Sequence, residues 1–152
     1  MKRQAIRPSD LAVRIHRTWN DDWFLLTSGD LSARDFNTMT VAWGSLGIMW
    51  SKPIAMVVVR PTRYTYRFME KYQDFTMSLL GEEHRDALDF CGSHSGRDTD
   101  KVAETGLTPI AVPGVGSPAF GEAELIFACR ILYWEDFSPE RFRDPSLSLI
   151  HI

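Results

Sequence analysis

The chain has 152 residues, 44% of them hydrophobic and 24% charged, with a net charge of −3 and a pI near 5.8. That length makes one domain with a sizeable core the expectation, and the acidic balance argues against nucleic acid as the main partner, which selects a basic face. No apolar run approaches the ~20 residues of a membrane helix and no charged-then-apolar leader opens the chain, so the cytoplasm is the expected location.

Asp22 to Ser28 (DWFLLTS) reads as a strand closed by a turn at Gly29-Asp30. Thr38 to Gly44 reads as the next strand. Met39, Val41 and Trp43 fall on one side of an extended chain; Thr38, Thr40 and Ala42 fall on the other. A half-buried strand ordinarily alternates apolar with charged or long polar side chains. Here the second face is small hydroxyls and a methyl, which suits either a turn onto the core or a flat, polar-edged ligand. Pro53 to Val59 (PIAMVVV) is a continuous β-branched run, apolar on both faces as in a closed sheet.

Thr65 to Lys71 reads as a helix with Thr65 as its cap and Phe68 and Tyr72 four apart. Asp74 to Leu80 alternates again, with Phe75, Met77 and Leu79 on one face. Glu82 to Cys91 begins with carboxylates and ends at Gly92, as a helix does, with Ala87, Leu88 and Cys91 as its apolar stripe. A shorter helix is expected from Thr99 to Glu104, stopped by Gly106. PGVGSPAFG (113–121) carries too many breakers for regular structure. Leu125 to Trp134 reads as a long strand, and Ser138-Pro139-Glu140 as a cap followed by proline at the first helical position. Strands dominate and the helices are inserted between them, so a small antiparallel barrel fits better than a doubly wound parallel sheet.

Several chemistries are excluded by what is missing. Cys91 and Cys129 lack C-x-x-C spacing and read as buried small hydrophobes. Cys91 and His94 would make half of a zinc site, and the second pair is absent. Gly114 and Gly116 begin a dinucleotide fingerprint, but Pro118 follows and no helix does. No P-loop and no G-x-S-x-G elbow occurs. An enzyme of this composition would carry its chemistry on a bound cofactor, and no catalytic side chain and no metal ligand is named.

Three segments remain: NTMTVAWG (37–44), RPTRYT (60–65) and CGSHSGRDTDK (91–101). RPTRYT concentrates two arginines and two threonines where a strand meets a helix, which are the ingredients of a phosphate site or of a solvated turn. CGSHSGRDTDK offers small residues for close backbone approach, with Arg97 and Lys101 for negative charge; alone it would read as a polar loop. Five Trp and nine Phe suit an aromatic interior or a dimer interface, or else a stacking surface.

In order and spacing, DDWFLLTSGD, NTMTVAWGSLGIMWSKP, RPTRYTYRFME, FTMSLL and CGSHSGRDTDKVAETGLTP resemble the flavin reductase-like family of FMN-binding split barrels, most closely between Trp19 and Pro109. The resemblance implies a mainly β fold with inserted helices: a six-stranded antiparallel split barrel, homodimeric, with FMN near the subunit interface. Carried onto this chain, strand 37–44 lines the isoalloxazine ring through Met39, Thr40, Val41, Ala42 and Trp43. Arg60, Arg63 and Thr65, with Tyr64 between them, hold the phosphate and ribityl end. Ser95, Gly96, Arg97 and Lys101 close over the cofactor. The implied activity is reduction of flavin by NADH or NADPH, with electrons passed to an acceptor. The alternatives are an FMN electron carrier reduced by a partner protein, and a flavin-binding protein without turnover.

Residues 1–146 are expected to form the single domain. The last six residues, LSLIHI (147–152), match the translation of a transposon-end sequence used in library preparation, and SPERFRDPS before them reads as a helix and loop that should continue. The expectation is a processing scar, so His151 is given no function; a genuine short apolar tail is the alternative. In the resembling family the chain continues toward the flavin and the dimer interface, which implies a more open site and weaker FMN retention here.

Overall fold

The computed structural model describes residues 3–148. The chain enters through a short helix, α1 (Ile15–Arg17), that widens into a π turn over Thr18–Asp22. Eight strands and four further helices follow: β1 (Phe24–Asp30), β2 (Asp35–Val41), β3 (Gly44–Met49), β4 (Lys52–Val57), α2 (Tyr64–Lys71), β5 (Asp74–Leu79), α3 (Arg85–Ser93), α4 (Lys101–Thr105), β6 (Pro109–Ile110), β7 (Ala119–Phe120), β8 (Leu125–Arg130) and α5 (Pro145–Ser148). Of the LSLIHI tail, Leu147 and Ser148 end α5, and residues 149–152 lie outside the described residues.

One antiparallel sheet in the order β2-β1-β5-β8 is the centre of the molecule. Directly opposed residues share a face of a sheet, so the register assigns the core. Phe24↔Val41, Leu26↔Met39 and Leu26↔Met77 put one apolar face together, continued by Met77↔Phe127 and Phe75↔Cys129. Trp19 packs on this face with its ring centroid 4.8 Å from that of Phe24. Phe24, Leu26 and Met77 are fully buried, and each such side chain contributes about 1.5–3 kcal/mol through burial.

The opposite face has a hydroxyl seam. Thr27↔Thr38, Thr27↔Thr76 and Leu25↔Ser78 are its register pairs. Thr27 donates to Thr38 Oγ1 (3.0 Å), Thr38 to Leu26 O (3.2 Å) and Thr76 to Pro118 O, and Ser78 Oγ accepts from Phe120 N (3.3 Å). Backbone from the 117–120 loop and from α3 therefore lies close against the sheet here, and only short side chains leave room for it. Beside the seam, Leu25, Leu80, Leu88, Cys91 and Phe120 form a second apolar cluster.

β3 and β4 form a separate two-stranded ribbon, and β6 and β7 another. The first packs Leu46, Ala55 and Val57 onto the apolar face of the sheet. Where six barrel strands were expected, the described residues hold eight, in a four-stranded sheet, a covering β3–β4 ribbon and a short β6–β7 pair, and no ladder among them closes these into one barrel. β3 has no counterpart in the sequence reading. Its turn is Trp50-Ser51, both at positive φ (51° and 57°), the backbone of a tight two-residue hairpin. The PIAMVVV run is not buried on both faces: it begins at Lys52, ends at Val57 and exposes Met56.

Other boundaries move by a few residues. The strand expected at Asp22 starts at Phe24, after the π turn, and runs through Gly29-Asp30 to a turn at Leu31. α3 passes Gly92 and ends at Ser93, and β8 stops at Arg130 rather than Trp134. Gly106 does stop α4, in the left-handed region at φ 69°. Both cysteines are free thiols.

Candidate functional site

A cleft of about 100 Å³ opens where the start of α2, the middle of β2 and the loop after α3 meet. Met39, Arg63, Tyr64, Thr65, Ser95, Arg97 and Lys101 line it, all predicted from sequence. Asn37, Thr62, Ser93 and His94 also line it and were not assigned. Gly96 belongs to the same wall: a Cβ there would sit 1.9 Å from Asn37 Oδ1 and 3.2 Å from Tyr64 Cδ1.

The local chemistry explains how these groups are held. Asp100 caps α4 by accepting from Val102 N (3.0 Å) and Ala103 N (3.1 Å). That places Lys101 at the first helical position, where its side chain is only 6% exposed. Lys101 Nζ donates to Thr38 O (2.8 Å) and to Cys91 O (2.9 Å). Burial pulls its pKa down to about 8, with Arg63 adding to that and Cys91 opposing it. Burial pushes the Cys91 thiol up to about 11.

Arg63 is the residue before α2 and donates to Gly92 O at the end of α3. Burial, and then the Arg60 charge, lowers its pKa. The Arg97 guanidinium carbon lies 5.0 Å from the Tyr64 ring centroid, a cation–π contact. The Tyr64 ring in turn packs edge-on against Phe68, at 5.2 Å. His94 stacks on Phe90 (3.9 Å, 13°), with Nδ1 3.2 Å from Phe90 O and 3.0 Å from Ser93 Oγ.

Lys101, Arg63 and Arg97 have no carboxylate partner among the described residues. A buried cation is ordinarily paired; here its acceptors are neutral carbonyls. The adjacent N-terminal end of α2 adds partial positive charge, a further 0.3–1 kcal/mol toward an anion by the usual scale of about that size. At about 100 Å³ the cleft has room for a small anion such as a phosphate group beside these cations. A larger cavity of about 230 Å³ lies near the C-terminus, between Glu135 and Phe142. Its cation, Arg141, is already paired with Glu135 at 2.9 Å, so the smaller cleft is the better anion site.

Five predicted residues lie outside the cleft. Val41 is buried in the core and the Thr40 hydroxyl donates to Leu88 O. Ala42 and Trp43 follow the end of β2; Trp43 O accepts from Val58 N. Arg60 is exposed and its carbonyl accepts from Arg63 N. On the small face of this strand Thr40 is therefore engaged with α3, while Thr38 bonds back to β1. Thr65 does not cap α2: it is buried, and Asn37 Nδ2 donates to its Oγ1 at 2.8 Å. The missed residues left signals in the quoted segments: Asn37 heads the strand motif, and Ser93 and His94 lie inside CGSHSGRDTDK. Among the described residues no cluster of His, Cys, Asp or Glu could hold a metal, and no helix is long and apolar enough to cross a membrane.

Residues 22–135 match the flavin reductase like domain. No curated protein sequence matches the chain. Among solved structures, flavoredoxin of Desulfovibrio vulgaris is 27% identical with a TM-score of 0.70; the match covers 86% of this chain and 69% of that one. An FMN-binding domain of a flavin reductases-like enzyme from Shewanella baltica is 22% identical (TM-score 0.65, covering 78% and 62%). A protein described as a flavin reductase with split barrel domain, from Shewanella frigidimarina, is 16% identical (TM-score 0.67, covering 86% and 68%). The fold is the split barrel of these proteins, and the chain belongs to the flavin reductase-like family.

Proposed function

We propose that this member of the flavin reductase-like family binds FMN with its phosphate in the cleft of Arg63, Arg97 and Lys101. The observation that carries the reading is a buried ammonium, Lys101, with no carboxylate partner among the described residues, lining a cleft beside two further cations. When bound, FMN supplies two-electron redox chemistry that no side chain of the site offers. The chain's own part is to neutralise the phosphate, to order the 95–98 loop against Tyr64 and Asn37, and to orient the cofactor. NADH or NADPH is the proposed electron donor, and electrons leave to a small-molecule or protein acceptor.

The spectrum of the purified protein tests the cofactor class, and chromatography of the heat-released cofactor tests its identity. FMN as the dominant species is expected; FAD, or a colourless protein that takes up no FMN, would overturn the reading. Steady-state oxidation of NADH and NADPH in the presence of FMN tests turnover. A second reading is an electron carrier reduced by a partner protein, favoured by the likeness to a flavoredoxin; FMN retention without NAD(P)H oxidation would select it.

The proposed assembly is a cytoplasmic homodimer. Ile48, Met49, Trp50 and Met56 on the β3–β4 ribbon are 49–72% exposed, and Trp50 touches Tyr133 at 6.4 Å between ring centroids. Exposed apolar side chains concentrated on one ribbon favour association. Light scattering should give twice the chain mass; a monomer with full FMN occupancy would refute it.

A further inference from the structure

The elements packed around Lys101 offer it only groups that cannot neutralise it. β2 offers the Thr38 carbonyl and α3 the Cys91 carbonyl. The start of α2 offers Arg63, of the same sign, and Tyr64; the loop after α3 offers His94 and Arg97. On its own helix the neighbouring Asp100 carboxylate is engaged with Val102 N and Ala103 N. Two of the three ammonium hydrogens go to carbonyls, and the cleft is the remaining side. An ammonium in such a place is stabilised only by an anion that enters the cleft.

We propose that Lys101 couples entry of the FMN phosphate into the cleft to uptake of one proton from solvent, a linkage that rests on the FMN reading above. Burial holds the Lys101 pKa at about 8. At pH 8.5 about a quarter of such lysines carry the proton, by the usual titration relation. A phosphate beside the ammonium restores the charged form. The phosphate itself is already a dianion at this pH, since its second pKa is about 6, and so contributes no proton of its own. The Cys91 thiol, at about 11, stays protonated.

The test is isothermal titration of the apoprotein with FMN at pH 8.5 in buffers of different ionisation enthalpy. Uptake of about half a proton or more per FMN bound is expected. Riboflavin, which lacks the phosphate, should bind with no uptake. Lys101→Arg retains the charge at every pH and should bind FMN without uptake; Lys101→Met provides a second variant that cannot titrate. FMN binding to the wild type without proton uptake, uptake that persists in both variants, or equal uptake with riboflavin would overturn the linkage while leaving FMN binding intact. Failure of FMN to bind at all would overturn both readings.

Discussion

Gly96→Ala tests how the cleft is built. The backbone of Gly96 is outside the left-handed region, so alanine is acceptable there on torsional grounds. The obstacle is Asn37, whose Oδ1 would lie 1.9 Å from the new methyl carbon. Ordinary contact requires more than 3 Å, so either the loop or the Asn37 amide must move by over 1 Å, an estimate from non-bonded contact distances of about 3.5 Å. Moving the amide breaks its 2.8 Å bond to Thr65 Oγ1, and both groups are buried. Loss of such a bond, with polar atoms left unmatched, costs about 1–3 kcal/mol. Urea unfolding of the apoprotein should therefore show a loss of that order for Gly96→Ala. In an Asn37→Ala background the close approach to Oδ1 is gone and only the 3.2 Å approach to Tyr64 Cδ1 remains, so the same substitution should cost less than it does in the wild type. Equal losses in the two backgrounds would refute the account of Gly96 as the residue that lets this loop cross Asn37.

Four further outcomes are expected. Arg63→Ala removes a charge-assisted contact worth roughly 1.5–3 kcal/mol, about tenfold to a hundredfold in FMN affinity; riboflavin should lose far less, and equal losses would assign Arg63 to structure through its bond to Gly92 O. Lys101 has a folded pKa near 8 against the ordinary lysine value of 10.5, so between those values the unfolded chain binds more protons and apoprotein stability from this residue rises with pH. The stability of wild type relative to Lys101→Met should rise from pH 8 to 10.5, measured as a difference because Cys91 acts in the opposite sense above 9; a constant difference would contradict it. Ser51→Gly should stabilise the ribbon by about 1 kcal/mol, because φ 57° suits glycine; thermal unfolding reads this directly. Trp50→Glu should shift light scattering from dimer toward monomer, and an unchanged dimer would place the interface elsewhere.

The elements easiest to read were those whose pattern is local. Phe75, Met77 and Leu79 alternate and do face the core cluster, and Gly106 ends α4 by its own backbone freedom. β3 was hidden because Gly44 and Gly47 interrupt its alternation and its turn lacks the Asn-Gly or Asp-Gly sequence that marks tight hairpins. The cleft was legible through Arg63, Arg97 and Lys101, cations placed by motif. The face of Thr38 and Thr40 was not, because small hydroxyls suit a ligand and a helix backbone equally. The deciding partner, Leu88, lies 48 residues from Thr40. Thr65 posed the same ambiguity: a hydroxyl in the first turn of a helix serves as a cap or as a core partner, and Asn37 settles it from 28 residues away.

The hydroxyl seam on the central sheet has a consequence for how the strands find their alignment. A slip of one residue between β1 and β2 turns every side chain to the opposite face. Met39 and Val41 would then be forced against the backbone of α3, where there is room only for threonine. Thr38 and Thr40 would be driven among Phe24, Leu26 and Met77, each stranded hydroxyl costing about 1–3 kcal/mol. The misaligned hairpin is thus penalised on both sides at once, by bulk on one face and by stranded polarity on the other. Valine shares threonine's shape and lacks its hydroxyl, so Thr38→Val with Thr40→Val would keep the bulk of the native face, leave Leu26 O and Leu88 O without these hydroxyl donors, and remove half of that discrimination. The expected defect is a slower, more error-prone assembly of the sheet, with misaligned chains collecting as aggregates during refolding.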